Sequence, residues 1–144
     1  MNTIEYKRLN LKEGETLLDM GCGEGRHSIG ALLETSANVI GLDLSQKDIK
    51  TAKSRLYDFD LSKLQTTCNF GVGNINQIPI ENSKLDAVMC SEVLEHIDCP
   101  QESVKELIRV LKPGGVLALS VPRYLPELIC WKLSKEYSKT PGGH

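Results

Sequence analysis

The chain has 144 residues, 40% of them hydrophobic and 25% charged, with a formal net charge of −2. That length fits one domain with its own core, and that apolar content excludes a chain disordered throughout. With 17 Lys and Arg against 19 Asp and Glu, there is no basic field of the kind a nucleic-acid backbone binder needs, so no nucleic-acid partner is expected.

Met1 to Leu11 mixes polar and charged residues and lacks the pattern of a secretory signal. No apolar run approaches the ~20 residues that span a bilayer, so no membrane partner is expected. The first strand is read at Thr16-Leu17-Leu18-Asp19-Met20, after which Ile29, Leu32 and Leu33 recur at helical spacing. Asn38-Val39-Ile40-Gly41-Leu42 reads as a second strand, bounded by Asp43. Ser45 is placed to cap the next helix, with Asp48 in its first turn, where negative charge is favoured. Ile49, Ala52 and Leu56 give that helix its apolar stripe.

A third strand falls within Thr66 to Val72, and Pro79 and Asn82-Ser83 mark the loop after it. Leu85-Asp86-Ala87-Val88-Met89-Cys90 is a fourth strand, with Val93, Leu94 and Ile97 suggesting a short helix beyond. Pro100 opens the next helix. Val104, Leu107, Ile108 and Leu111 form its stripe, and Pro113-Gly114-Gly115 stops it. Val116 to Val121 is a fifth strand. A last helix follows Pro126, with Leu125, Leu128, Ile129 and Leu133 on one face and Tyr124, Leu128 and Trp131 on a second. Strands with so little alternation are buried on both faces. Right-handed crossovers then give a three-layer, doubly wound α/β fold with a mostly parallel sheet. Ligands in such folds sit at the carboxyl ends of the strands.

The five cysteines, Cys22, Cys68, Cys90, Cys99 and Cys130, contain no C-x-x-C pair. Neither a metal site nor a disulfide framework is expected, and free thiols fit a cytoplasmic location. After the first strand comes Gly21-Cys22-Gly23-Glu24-Gly25. A glycine-rich turn from strand to helix is a nucleotide-type site, because it lets a ligand approach the backbone. The dinucleotide fingerprint is G-x-G-x-x-G; here the third glycine comes one residue early and Arg26 stands in its place. That spacing points away from a nicotinamide cofactor and toward another adenosine ligand. Asp43, at the end of the second strand, can accept from a ribose diol or cap a helix.

Leu17-Leu18-Asp19-Met20-Gly21-Cys22-Gly23-Glu24-Gly25 resembles the first motif of the class I S-adenosylmethionine-dependent methyltransferases. Val39-Ile40-Gly41-Leu42-Asp43-Leu44-Ser45 resembles their second. Leu85-Asp86-Ala87-Val88 through Glu92-Val93-Leu94-Glu95-His96-Ile97 resembles the fourth, and Arg109-Val110-Leu111-Lys112-Pro113-Gly114-Gly115 the segment after it. The nearest flavour is the small-molecule subgroup that includes quinone-biosynthesis enzymes. The resemblance implies S-adenosyl-L-methionine as cofactor, S-adenosyl-L-homocysteine as product and a small-molecule methyl acceptor. It implies a single domain over 1–144 with a Rossmann-like methyltransferase fold in strand order 3-2-1-4-5. Strands six and seven are missing, so the chain reads as truncated at its C-terminus. Strand five would then be an open edge, through which a homodimer could form.

The resemblance also assigns roles. Gly21, Cys22 and Gly23 carry the backbone under the methionine and ribose, and Asp43 holds the ribose hydroxyls. Asp19 faces the cofactor's amino group or orders the loop. Leu44 lies against the adenine or is ordinary core. Asn74 stands where the family often has an acid, and its carbonyl oxygen can still accept from the adenine amine. The Ile75 N–H faces a ring nitrogen, and Ser91 lies near the methionine. Glu92 and His96, one helical turn apart, are the candidate bases, or else ordinary polar residues; Arg26 and His27 read as solvated. Glu102–Lys105 and Glu106–Arg109 read as pairs on a wet helix face. A non-catalytic cofactor-binding module and an NAD(P)-linked oxidoreductase stay open as alternatives.

Overall fold

The computed structural model describes residues 4–120. The expected last helix and Val121 lie outside that range. Within it the chain runs β1 (Thr16–Met20), α1 (Arg26–Glu34), β2 (Asn38–Asp43), α2 (Gln46–Tyr57), β3 (Cys68–Val72), β4 (Leu85–Ser91), α3 (Pro100–Val110) and β5 (Leu111–Ser120). Short 3-10 helices occupy Tyr6–Leu9 and Leu94–His96. No helix of the described residues is long and apolar enough to cross a membrane.

The sheet order is β3-β2-β1-β4-β5 and each neighbouring pair is parallel. The three-layer, doubly wound α/β fold expected from the sequence is therefore present. Leu17 and Leu18 show why the strands lack alternation, since they point to opposite faces and both are fully buried. Leu18, Met20, Val88 and Cys90 pack toward Val104, Leu107 and Val110 of α3. Leu17, Val39, Ala87 and Met89 pack toward Ala31 and Leu32 of α1 and toward Tyr6 and Leu9. Strand order reverses between β1 and β4, so a cleft is expected beyond their carboxyl ends.

Two features differ from expectation. Helix α3 stops at Val110, and Leu111 opens β5 opposite Leu85 instead of extending the helical stripe. The reason is remote in sequence: the carbonyls of Arg109 and Val110 accept the amides of Ser83 and Lys84, at 2.9 Å each. Pro113-Gly114-Gly115 then forms a bulge inside β5, with the register shifting between Leu85 and Ala87, and Gly114 takes φ +81°. The second difference is the Glu106–Arg109 pair, which is a half-buried clamp. Arg109 donates to both Glu106 carboxylate oxygens, to the Ile78 and Ile80 carbonyls and to Asn82 Oδ1. Glu106 in turn accepts the Ile78 amide at 2.8 Å. The pair fixes residues 78–82 onto α3. The Arg109 hydrogen bond holds the Glu106 carboxyl below its usual range. Lys105 and Glu102, by contrast, form the expected solvated pair.

Candidate functional site

The loop after β1 is anchored at both ends by backbone hydrogen bonds. The amides of Gly21 and Cys22 converge on the Leu42 carbonyl at 2.7 and 3.0 Å, and the Gly25 amide closes a turn onto Cys22 at 2.9 Å. Gly21, Gly23 and Gly25 all have positive φ. Two of them are also needed sterically. A Cβ on Gly21 would collide with Val93, and one on Gly25 would sit 2.9 Å from Phe70 and 3.0 Å from Ala52. At Gly23 a Cβ would meet nothing within 4 Å, so the backbone there is open to approach.

Asp43 ends β2 and joins three segments. Its Oδ2 accepts the Gly23 amide and its Oδ1 the Ser45 amide, both at 2.8 Å. It does not cap α2; Ser45 does, accepting the Asp48 amide at 3.1 Å. Each Asp43 oxygen engages one N–H, and each carboxylate oxygen can accept more than one hydrogen bond. The carboxylate borders a cleft of about 490 Å³ that also takes in Gly21, Leu44, Asn74, Ile75, Ser91, Glu92 and His96. Eight of the residues singled out in the sequence therefore share one wall-to-wall space. Leu44 is 65% exposed beside it, which rules out the ordinary-core reading of that residue. Asn74 Oδ1 accepts the Asn76 amide at 2.9 Å, which fixes the side chain's orientation.

The remaining expected residues act behind the cleft. Asp19 is 2% exposed and accepts the Ser28 hydroxyl at 2.6 Å. Gly25, the N-cap of α1, has no side chain to cap the helix, and Asp19 supplies a carboxylate from β1 to its first turn. The Asp19 hydrogen bond reaches Ser28 in α1 and so ties β1 to the helix that follows the glycine loop. Burial pushes its carboxyl up to about 6, against the Ser28 hydrogen bonds that lower it. The Cys22 side chain packs with Ile29, Ile49, Ala52 and Phe70, away from the cleft, and burial pushes its thiol up.

The short helix expected after β4 is present as the 3-10 helix Leu94–His96, but Glu92 lies outside it. Glu92 takes φ +57° and precedes the 3-10 helix, so Glu92 and His96 are not one α-helical turn apart. The carboxylate nearest His96 is Glu95, with Oε1 4.0 Å from Nε2, and Glu95 Oε2 is buried with no hydrogen-bond partner among the described residues. His96 itself is 79% exposed at its side chain. His27 is half-buried, not solvated. Tyr6 Oη lies 3.4 Å from its Nδ1 and Arg26 Nη2 3.2 Å from its Nε2. Arginine only donates, so Nε2 accepts and the proton sits on Nδ1. Burial and Arg26 hold this imidazole below its usual pKa.

Met20, Asn76, Val93 and Ile97 also line the cleft. Met20, Val93 and Ile97 lie within the family-like motifs but carry no polar group that marks them as site residues. Asn76 is held by the buried Ser103 hydroxyl at 2.7 Å, a link between loop and helix that no local pattern carries.

The family described as a methyltransferase domain matches residues 11–142. The chain belongs to this S-adenosylmethionine-dependent methyltransferase family. It is 34% identical over 111 residues to a demethylmenaquinone methyltransferase of Oceanobacillus iheyensis, spanning 76% of this chain and 45% of that protein. It is 32% identical over 111 residues to the 27-O-demethylrifamycin SV methyltransferase of Amycolatopsis mediterranei, spanning 77% of this chain and 40% of that one. Among solved structures, the cyclase SpnF superposes with a TM-score of 0.71 at 27% identity, over 78% of this chain and 40% of that one. The chain thus spans less than half the length of the curated relatives it matches. The methyltransferase cofactor fits what is present: an open backbone at Gly23, a rigid Asp43 carboxylate with accepting capacity, and an apolar flank at Leu44 and Ile75.

Proposed function

We propose that the chain is the cofactor-binding core of a methyltransferase that acts on a small-molecule acceptor by in-line displacement, with residues 1–144 as one domain. The observation that carries this is the Asp43 carboxylate, fixed between the Gly23 and Ser45 amides and opening into the cleft. Its oxygens accept from the two ribose hydroxyls. Leu44 and Ile75 flank the adenine, and Asn74 Oδ1, held by the Asn76 amide, accepts from the adenine amine. Gly21 and Gly23 bring bare backbone against the ribose and methionine, with Cys22 packed beneath them. Ser91 borders the methionine end, and Val93 and Ile97 exclude water from it.

The cofactor, when bound, supplies a methyl group that its sulfonium makes electrophilic. The protein's task is then alignment and exclusion of water, and positioning of this kind is worth ~7–11 kcal/mol. A base is required only when the acceptor carries a proton of high pKa. For such acceptors His96 at the cleft wall, with the Glu95 carboxylate behind it, receives that proton, and Glu92 is the second candidate. The rifamycin and menaquinone relatives, named for small-molecule acceptors, support this reading.

Calorimetric titration of the 144-residue chain with S-adenosylhomocysteine tests it. Micromolar binding that weakens at least about tenfold in Asp43→Ala, or about 1.4 kcal/mol, is expected. Preference for NADH over S-adenosylhomocysteine would overturn the reading.

A further inference from the structure

The two edges of the sheet are not alike. Strand β5 carries Lys112, Pro113 and a bulge, all features that discourage edge pairing. Strand β3 carries none of them. From Thr66 to Gly73 the chain has no charged residue and no proline, and among the described residues no strand lies beyond it.

The hydrogen-bond pattern fixes which groups β3 leaves facing outward. The Thr67 carbonyl accepts the Val39 amide and the Gly73 amide donates to Asp43, so Thr67, Asn69, Gly71 and Gly73 face β2. By alternation Cys68, Phe70 and Val72 turn their amides and carbonyls away from the sheet. Those three positions are symmetric about Phe70. An antiparallel copy of the same strand pairs Phe70 with Phe70 and Cys68 with Val72, exchanging about six backbone hydrogen bonds.

The apolar surface is arranged to match. At the Cys68 end a groove of about 430 Å³ runs along the strand under Tyr57 and Phe59, with Leu56 and Leu61 adding apolar lining and Lys53 the one charged residue in it. Tyr57 is 90% exposed. At the opposite end Val72 is 53% exposed. Cys68, Phe70 and Val72 share one face of the strand, the face on which Phe70 packs with Ile49 and Ala52 of α2. A two-fold axis perpendicular to the sheet keeps like faces together and carries the Val72 side chain of each copy into the Tyr57 groove of the other. We propose that β3 pairs antiparallel with β3 of a second copy, in the register centred on Phe70, joining two sheets into one. This moves the self-association expected at β5 to the opposite edge.

Sedimentation equilibrium of the reduced chain tests the proposal. Twice the 15.9 kDa chain mass is expected as the concentration rises to about 100 µM, with slowed hydrogen exchange at the Cys68, Phe70 and Val72 amides. Val72→Pro removes one outward amide and spares the bonds to β2. Tyr57→Lys replaces an exposed aromatic with a second cation beside Lys53 in the groove, at a side chain 90% exposed in the monomer. Each is expected to weaken association at least about tenfold with an unchanged circular dichroism spectrum. If Val72→Pro fails to fold, Tyr57→Lys alone decides. A wild-type chain that stays monomeric at about 100 µM overturns the proposal. So does a dimer that persists in the folded variants or protects β5 amides instead.

Discussion

The carboxylate of Asp43 accepts the amide of Gly23 at 2.8 Å, across 20 residues of chain, and so ties the end of β2 to the middle of the glycine loop. With Ser45 on the other oxygen, both carboxylate oxygens must be acceptors. Asp43→Asn turns one of them into a donor facing an N–H. The Gly23 or the Ser45 amide then loses its partner. Hydrogen exchange at that amide is expected to speed up at least about tenfold, alongside weaker S-adenosylhomocysteine binding. Unchanged exchange at both would show that the carboxylate does not hold the loop.

Gly21 faces Val93 with no room for a methyl group. Gly21→Ala is expected to destabilise the fold by about 1–2 kcal/mol from its positive φ alone, with the Val93 collision adding to that. Val93→Ala in the same chain relieves the collision and leaves the φ cost. A double-mutant cycle by urea unfolding should therefore show a favourable coupling between the two changes. Strict additivity would contradict the packing.

The buried Asp19 makes stability depend on pH in a stated direction. Its folded pKa, about 6, lies above the ordinary 3.8, so the native state binds more protons between those values. The contribution is fully present below about 4 and is lost as pH rises through about 6. Asp19→Asn keeps an acceptor for Ser28 and cannot ionise. The variant should gain on the wild type by about 2 kcal/mol between pH about 4.5 and about 7.5, measured by urea unfolding at both. A gap that is flat with pH would show that Asp19 titrates normally.

Arg109 is the hub that holds residues 78–82 on α3. Lysine cannot span the Ile78 and Ile80 carbonyls and both Glu106 oxygens at once. Arg109→Lys is expected to lower Tm by about 5 °C or more and to open the 78–82 segment to protease. Because that segment continues from Asn74 and Ile75 of the cleft, S-adenosylhomocysteine affinity should fall with it.

Short-range signals made the strands, the Ser45 cap and the glycine loop legible, since each rests on residues within a turn of one another. Asp43 could be placed in the same way, from its position after a β-branched run. Long-range hydrogen bonds explain most of what was not legible. Leu111 matches the α3 stripe, yet the Ser83 and Lys84 amides capture the last carbonyls and end the helix before it. Glu106 and Arg109 have the spacing of a solvated pair, and only the fold brings the Ile78 and Ile80 carbonyls to them. The Val93, Leu94 and Ile97 spacing suggests a short helix, and one is present over Leu94–His96. The left-handed Glu92 before it turns the chain sharply out of β4, its amide bonded to the Ser120 carbonyl at 2.9 Å, and so keeps Glu92 out of that helix.

Helix α1 has nine residues and no side-chain cap from its own flank, while Asp19 in β1 accepts the Ser28 hydroxyl of its first turn. A helix that short is marginal in water by itself. An excised peptide spanning residues 21–35 should therefore show little helical circular dichroism, and adding β1 alone should not restore it, because β1 needs β2 and β4 beside it. Strand, loop and helix form or melt as one cooperative unit. The glycine loop is held by its own bonds to Leu42 and Asp43, so binding against it should cost little ordering entropy.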